Sequence, residues 1–272
     1  MTGLPSSSLG SLWHGKFYHR IRDSLGLDEE QDRRATNILS KLISVKTGIN
    51  PNLLSQAING RSVIVFGAGP SLEDDIVGLR SVLVSGKLAV IAADGAADAL
   101  EMRSVKPSVV VSDLDSCSVE RLIEASTDRI LVVHAHGDNI DLMNETIPQL
   151  NGNLLGSTQT ESSENVINYG GFTDGDRACY IAANFAPRSI ALAGMDFGRQ
   201  EGAFSKSRRQ RVIDDNKRRT KLELGKSSLE FLIQIKKEIR FRNLTRYGQE
   251  ITGAPKVSYS EFISEVFSHD RQ

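Results

Sequence analysis

The chain has 272 residues, 39% of them hydrophobic, with 23 glycines besides; it can bury a core over one or two domains and is neither a fibrous repeat nor a disulfide-stapled scaffold. Its 33 Lys and Arg balance 34 Asp and Glu at a formal net charge of -1, which excludes an electrostatic coat for DNA or RNA, so nucleic acid is not the expected partner. Cys117 and Cys179 have no neighbouring Cys, and no apolar run approaches the ~18 residues that span a bilayer, so the expectation is a soluble cytoplasmic protein with no membrane partner.

Residues 1–60 read as helical. Leu12, Trp13, Phe17 and Ile21 recur at near-helical spacing, and Ile38, Leu39, Leu42, Ile43 and Val45 do so until Gly48 stops the run. Pro51 opens a short third helix that ends at Gly60. This region is expected to pack on the next one as a lid or to form the surface of a homodimer.

From Arg61 the pattern changes to short apolar runs alternating with helical segments: SVIVFG, KLAVIAAD, PSVVVSD, RILVVHAH and RSIALAGMD. Such runs suit strands buried on both faces, and intervening helices make the sheet parallel. Residues 61–204 are therefore expected to form a doubly wound, mostly parallel α/β domain, with ENVINYGG as a further strand. Residues 205–272 return to helix: 206–221 carry eight basic and two acidic side chains, and Leu229, Leu232, Ile233, Ile235 and Ile239 continue as one apolar stripe.

In a parallel sheet the carboxyl ends of the strands share one rim, where ligands bind. Here that rim collects several polar motifs. Gly67, Gly69, Pro70 and Ser71 follow the first run; the glycines let backbone approach a phosphate, and Ser71 can cap the following helix or simply serve a tight turn. Asp113 and Asp115, two apart in extended backbone, point one way and call for a cation, with Asp94, followed by Gly95, as a third acid; Asp115 alternatively caps a helix. Beside a phosphate loop, that pattern fits Mg²⁺ and a nucleotide.

His134 and His136 are in the i, i+2 relation of a zinc pair, but no other His lies near a strand end; phosphate contacts, with Asp138 joining a metal shell and Asn139 alongside, are the competing reading, as is packing of one imidazole. Gly170 and Gly171 open a tight loop in which Phe172 offers a flat face, while Asp174, Asp176 and Arg177 bring charge before a helix expected to start near Asp176. A stacked, amino-substituted heterocycle suits such a loop. Arg218 and Lys221, next to the anchoring apolar stripe, are the basic side chains placed to neutralise a triphosphate; otherwise the basic run is a solvated helix face.

Taken in order, GAGPSLE, ADGA, DLDS, HAHGDN, GGFTDGDRA and GMDFG resemble the archaeal-type 6-hydroxymethyl-7,8-dihydropterin pyrophosphokinases, the MptE-like family. DLDS is also similar to the metal-binding Asp motif of thiamine pyrophosphokinases, whose catalytic domain the family resembles. The resemblance implies transfer of diphosphate from ATP to the hydroxymethyl group of a reduced pterin, with release of AMP, in folate or methanopterin biosynthesis. It implies Mg²⁺ on Asp113 and Asp115, with Asp94 and Asp138 as further acids, and phosphate on Gly67, Gly69 and Ser71. It also implies a nucleotide or pterin pocket lined by Gly170 to Arg177, Thr173 included, and by Asp196, with His136 or an Asp as any general base. Three rivals remain: a nicotinamide-dependent oxidoreductase using GAGPS and Asp94, a nucleotide-sugar transferase related to flagellin-glycosylation factors, and a non-catalytic nucleotide or nucleic-acid binder using the basic run.

Overall fold

The apolar runs become the strands of one sheet in the computed structural model, which describes residues 8–46, 50, 52–116, 118–198, 200, 202–205 and 214–268. Gly48, Pro51, Cys117 and residues 206–213 of the basic run lie outside these. β1 (Ser62–Phe66), β2 (Leu88–Ala93), β3 (Val109–Ser112), β4 (Ile130–Ala135) and β7 (Ser189–Ala193) fall on the five runs. β5 (Leu154–Thr158), β6 (Val166–Ile167) and β8 (Arg240–Asn243) complete eight strands in the order β6-β5-β4-β3-β2-β1-β7-β8, and every strand pairs in parallel with its neighbours.

Alternation along each strand feeds two cores. Val63 and Val65 of β1 enter one, together with Trp13, Phe17 and Ile21 from the amino-terminal helical turns and with the helices Asp174–Ala183 and Asp215–Ile235. Ile64 and Phe66 enter the other, with Leu39 and Ile43 from the helix Glu29–Ser44 and with Leu72 and Ile76 from Leu72–Gly78. Burial of a Val or Ile side chain contributes about 1.5–3 kcal/mol, so a one-residue slip of β1 would exchange both cores at once. The amino-terminal region thus straddles the sheet. Gly26, at φ 67, ends one helix, Asp28 caps the next by accepting from Glu30 N and Gln31 N, and the chain crosses from one face to the other between them.

The carboxyl-terminal segment differs from the all-helical expectation. The long helix stops at Ile235, and Ile239 lies beyond it, leading into β8, which pairs with β7 at the sheet edge. Phe241 and Asn243 are buried while Arg240 is exposed, so this strand alternates rather than running apolar. β5 was not expected either. ENVINYGG supplies only the two residues of β6 before the glycine turn. Among the described residues no helix is long and apolar enough to cross a membrane.

β1 sits between β2 and β7, so the connections on its two sides run in opposite directions and the rim above it is the topological switch of the sheet.

Candidate functional site

Two left-handed backbone positions shape the acidic rim. Asp94, just past β2, has φ 50 and donates its N–H to Val111 O at 2.7 Å; Leu114, just past β3, has φ 75 and buries its side chain. Non-glycine residues there cost of order 1–3 kcal/mol each unless the surroundings hold them, and Asp is among the more tolerant. The turns bring Asp94, Asp113 and Asp115 together, with one ligand oxygen from each inside 4.8 Å of the others. Ser112 Oγ donates to Asp94 Oδ1 at 2.8 Å, and Ser116 Oγ donates to Asp115 Oδ1 at 3.1 Å. Three hard oxygen donors converging on one point, two of them on buried residues, fit a Mg²⁺-like cation.

The motif after β4 divides its labour. His134 is buried, with Nδ1 at 3.2 Å from Ser157 Oγ. That hydroxyl gives its proton to Val133 O, so Nδ1–H donates to Ser157 and Nε2 is left as an acceptor. Burial, then the nearby Arg177 charge, holds the ring neutral, well below the usual histidine range. His136 accepts Asp138 N on Nδ1 and places Nε2 at 3.5 Å from Asp113 Oδ2. The two rings stack, with centroids 5.9 Å apart, rather than converging on a zinc position. Asn139, expected near phosphate, is buried and donates to Asp113 O and His134 O, which ties the loops after β3 and β4 together. Asp138 is exposed and stands apart from the three-carboxylate cluster.

The glycine loop resolves similarly. Gly170 and Gly171 have φ 93 and 86, and a Cβ on Gly171 would overlap Arg177 Cα, so only glycine fits this turn. The helix begins at Asp174, two residues before the expected start, behind a capping box of Thr173 and Asp176. Asp176 is fully buried and accepts from Phe172 N at 2.9 Å and from Thr173 N and Oγ at 2.6 Å, so it holds the turn instead of facing a ligand. Arg177, buried beside it, donates to Phe172 O. Asp174 faces the cluster: burial, then the charges of Asp113 and Asp94, push its pKa well above the carboxylate range. Counted with the substrate loop in the sequence, it stands in space as a fourth rim carboxylate.

Ser71 does not cap its helix. Its N–H donates to Asp196 Oδ2 at 3.0 Å and its Oγ donates to Asp196 Oδ1, so a carboxylate of the β7 loop already covers the donors expected to meet phosphate. Asp75 lies beneath, accepting from Gly194 N at 2.7 Å.

Two cavities flank the acids. The first is lined by Gly67, Gly69 and Pro70, by Asp94 and Asp196, and by Arg218. The second is lined by Asp113, His134, His136 and Asp138, by Phe172, and by the amino-terminal crossing Leu25 to Asp28. Thr173, Asp174 and Lys221 line both, so the cavities meet there. Lys221 Nζ also sits 5.7 Å from the Phe172 ring centroid. Gly95 lies off both cavities, packed under Phe204 O. Sequence reasoning missed Asp32 and Gln159, buried residues of the second cavity. Gln159 directly follows β5, and recognising that strand would have put it on the rim.

The comparisons agree with this architecture. Three archaeal proteins named 6-hydroxymethyl-7,8-dihydropterin pyrophosphokinase are similar to the chain. The one from Methanocaldococcus jannaschii is 37% identical over 83% of this chain and 96% of its own length; that of Pyrococcus furiosus is 39% identical over 70% and 79%; that of Methanothermobacter thermautotrophicus is 34% identical over 80% and 92%. Among solved structures, the MAf glycosyltransferase from Magnetospirillum magneticum AMB-1 superposes with a TM-score of 0.51 at 14% identity, covering 85% of this chain and 43% of that one, a likeness of fold alone. The sequence profile of the 6-hydroxymethylpterin diphosphokinase MptE-like family matches residues 36–202. With that profile, those relatives and the acidic rim between two cavities, the chain belongs to the 6-hydroxymethylpterin diphosphokinase MptE-like family.

Proposed function

We propose that the chain transfers diphosphate from ATP to the hydroxymethyl group of 6-hydroxymethyl-7,8-dihydropterin and releases AMP, with Mg²⁺ held by Asp94, Asp113 and Asp115. The observation that carries this reading is the position of the three carboxylates: Asp94 lines the first cavity and Asp113 the second, so the cluster lies where two substrates would meet. Bound there, the cation supplies neutralisation of polyphosphate charge. Catalysis of such a transfer is mostly positioning and electrostatics, and the chain's own groups serve both. Arg218 and Lys221 offer positive charge from the helix Asp215–Ile235. Phe172 and Thr173 fix the approach from the other side, the helix Asp174–Ala183 being locked by its capping box. The alcohol oxygen attacks the β-phosphorus, the bond from that phosphorus to the α-phosphate oxygen breaks, and AMP carries away the electron pair. The alcohol proton passes to a rim carboxylate or to solvent; His136, whose Nδ1 accepts from Asp138 N, keeps its own proton on Nε2 beside Asp113 and orients that carboxylate.

The test is to incubate the protein with ATP, Mg²⁺ and the reduced pterin and identify the nucleotide product. AMP formed only when pterin is present supports the reading; ADP, or turnover indifferent to pterin, overturns it. Asp113→Asn should lower kcat by about 100-fold or more with the melting temperature nearly unchanged, since a rim carboxylate adds little to the core. A near-normal rate in that variant would place the cation elsewhere.

A further inference from the structure

We propose that the second cavity is the acceptor pocket and that Gln159, oriented by Asp32, reads the N–H edge of the heterocycle bound there. The proposal rests on the diphosphate-transfer reading and deepens it by naming the recognition chemistry.

The pocket's walls and its buried polar side chains differ in kind. Leu25 and Leu27, from the crossing between the two amino-terminal helices, and Phe172, from the glycine loop, supply apolar surfaces of the sort that take a flat ring. The three most buried polar residues of the lining present acceptors. Gln159 is 4% exposed, and its Nε2 donates to Asp32 Oδ2 at 2.7 Å. A carboxylate accepts, so this bond decides which end of the amide is nitrogen and turns Oε1 away from Asp32. Oε1 has no protein partner among the described residues and is not sealed from solvent, although the rest of the side chain is buried. His134, 3% exposed, spends Nδ1–H on Ser157 and keeps Nε2 as a lone pair. Asp32 itself accepts Gly137 N on Oδ1, and Tyr18 Oη–H together with Gln159 on Oδ2, a set of bonds that holds the amide in one orientation.

Acceptors left open at a buried site call for a ligand that donates, because a buried polar group without a partner costs about 1–3 kcal/mol. A fused ring bearing an amino group beside a ring N–H, as in a 2-amino-4-oxopteridine, presents such donors along one edge. A polyphosphate does not. The first cavity offers phosphates a side-chain cation, Arg218, while the N–H groups of Gly67, Gly69 and Gly194 are spent on Ala193 O, Gly194 O and Asp75 Oδ2. An alcohol entering on the pteridine would reach the shared boundary at Asp174 and Lys221 from one side while the diphosphate reaches it from the other. The amino-terminal region is on this account a wall of the acceptor site.

Binding of 6-hydroxymethyl-7,8-dihydropterin and of its 2-oxo counterpart, the dihydrolumazine, is measured on the full chain with Mg²⁺ and a non-hydrolysable ATP analogue present, together with the KM of each substrate. The 2-oxo compound replaces the amino donor with an acceptor, so wild type should favour the pterin by about 100-fold or more. Gln159→Leu should weaken pterin binding by about tenfold, shrink the preference between the two ligands, and leave the nucleotide KM unchanged. Equal affinity of wild type for the two ligands overturns the proposal without any variant having to fold. So does a Gln159→Leu protein that loses both ligands alike, as a purely structural role would require, or one that shifts only the nucleotide. Wild type that turns over no pterin overturns the parent reading instead, whereas normal turnover without the predicted preference overturns this proposal alone.

Discussion

Behind the rim, Asp75 carries a buried charge whose cost can be read as a slope of stability against pH. It is fully buried on the helix Leu72–Gly78, with Oδ2 accepting from Gly194 N at 2.7 Å and Oδ1 from Tyr259 Oη at 2.6 Å. Burial outweighs both bonds and, with Asp196 and Asp74 adding repulsion, pushes its pKa up from 3.8 to about 7. That gap corresponds to an ionisation penalty of roughly 4 kcal/mol in the folded state. Below the unfolded value both states are protonated and nothing is lost. Between about pH 4 and pH 7 the unfolded chain releases this proton while the folded chain keeps it, so the group's contribution falls as pH rises and levels off above. Asp75→Asn removes the titration yet can keep both bonds: its Oδ1 accepts Gly194 N–H and its Nδ2 donates to the Tyr259 oxygen, which is free to accept. Urea unfolding at several pH values between 4.5 and 8 gives the stability difference between variant and wild type. The variant should gain on wild type by roughly 2–4 kcal/mol from the acid to the neutral end, after which the curves run parallel. A difference independent of pH, or one that grows as pH falls, would refute the assignment of this burial cost.

Gly171→Ala should lower the melting temperature by roughly 5 °C or more, since the side chain meets both a φ of 86 and the Arg177 backbone; Gly15→Ala, with open space around it, should leave it nearly unchanged. Thermal melts of the two variants side by side check this, and equal stabilities would show that the glycine turn relaxes freely. Lys221→Met should reduce kcat/KM by roughly 10- to 100-fold without loss of stability, because Lys221 is exposed yet lines both cavities. Steady-state rates paired with a melt would expose the alternative of a merely solvated helix face.

Much of the sheet was legible because β1 to β4 and β7 are continuous apolar runs buried on both sides, a pattern with few other readings. β5 escaped because it ends in Gly156-Ser157-Thr158, whose polar side chains are satisfied only in the fold, by His134 and Thr36. β8 escaped because an edge strand with Arg at alternate positions follows directly on an apolar helix and shares its hydrophobic texture. At the site, Asp94, Asp113 and Asp115 were legible from their places after strands, where carboxylates have no packing duty. Asp176 and Asn139 were read as ligand groups for the same reason, yet each spends its polar atoms on backbone. Spacing along the chain cannot separate a carboxylate that caps a helix, Asp176, from one that faces the acidic cluster two residues earlier, Asp174. Asp32 had no signal at all: as one of three acids in the first turn of its helix, with Glu29 and Glu30, it looks like a response to the helix dipole.

The indole Nε1–H of Trp13 donates to Ser228 Oγ, 215 positions away, where the amino-terminal turns pack with the long carboxyl-terminal helix on one face of the sheet. Closure at such separation is entropically expensive and tends to come late in assembly. During synthesis the strands from β1 to β7 can pair, and the acidic rim can form, before the segment bearing Arg218, Lys221 and Ser228 has been made. The wall contributed by Leu25 to Asp28 then faces a cavity whose shared cation is still missing. Transfer between the two cavities thus depends on docking of the helix Asp215–Ile235: a molecule with its sheet folded and that helix undocked would lack Lys221 at the boundary the two cavities share.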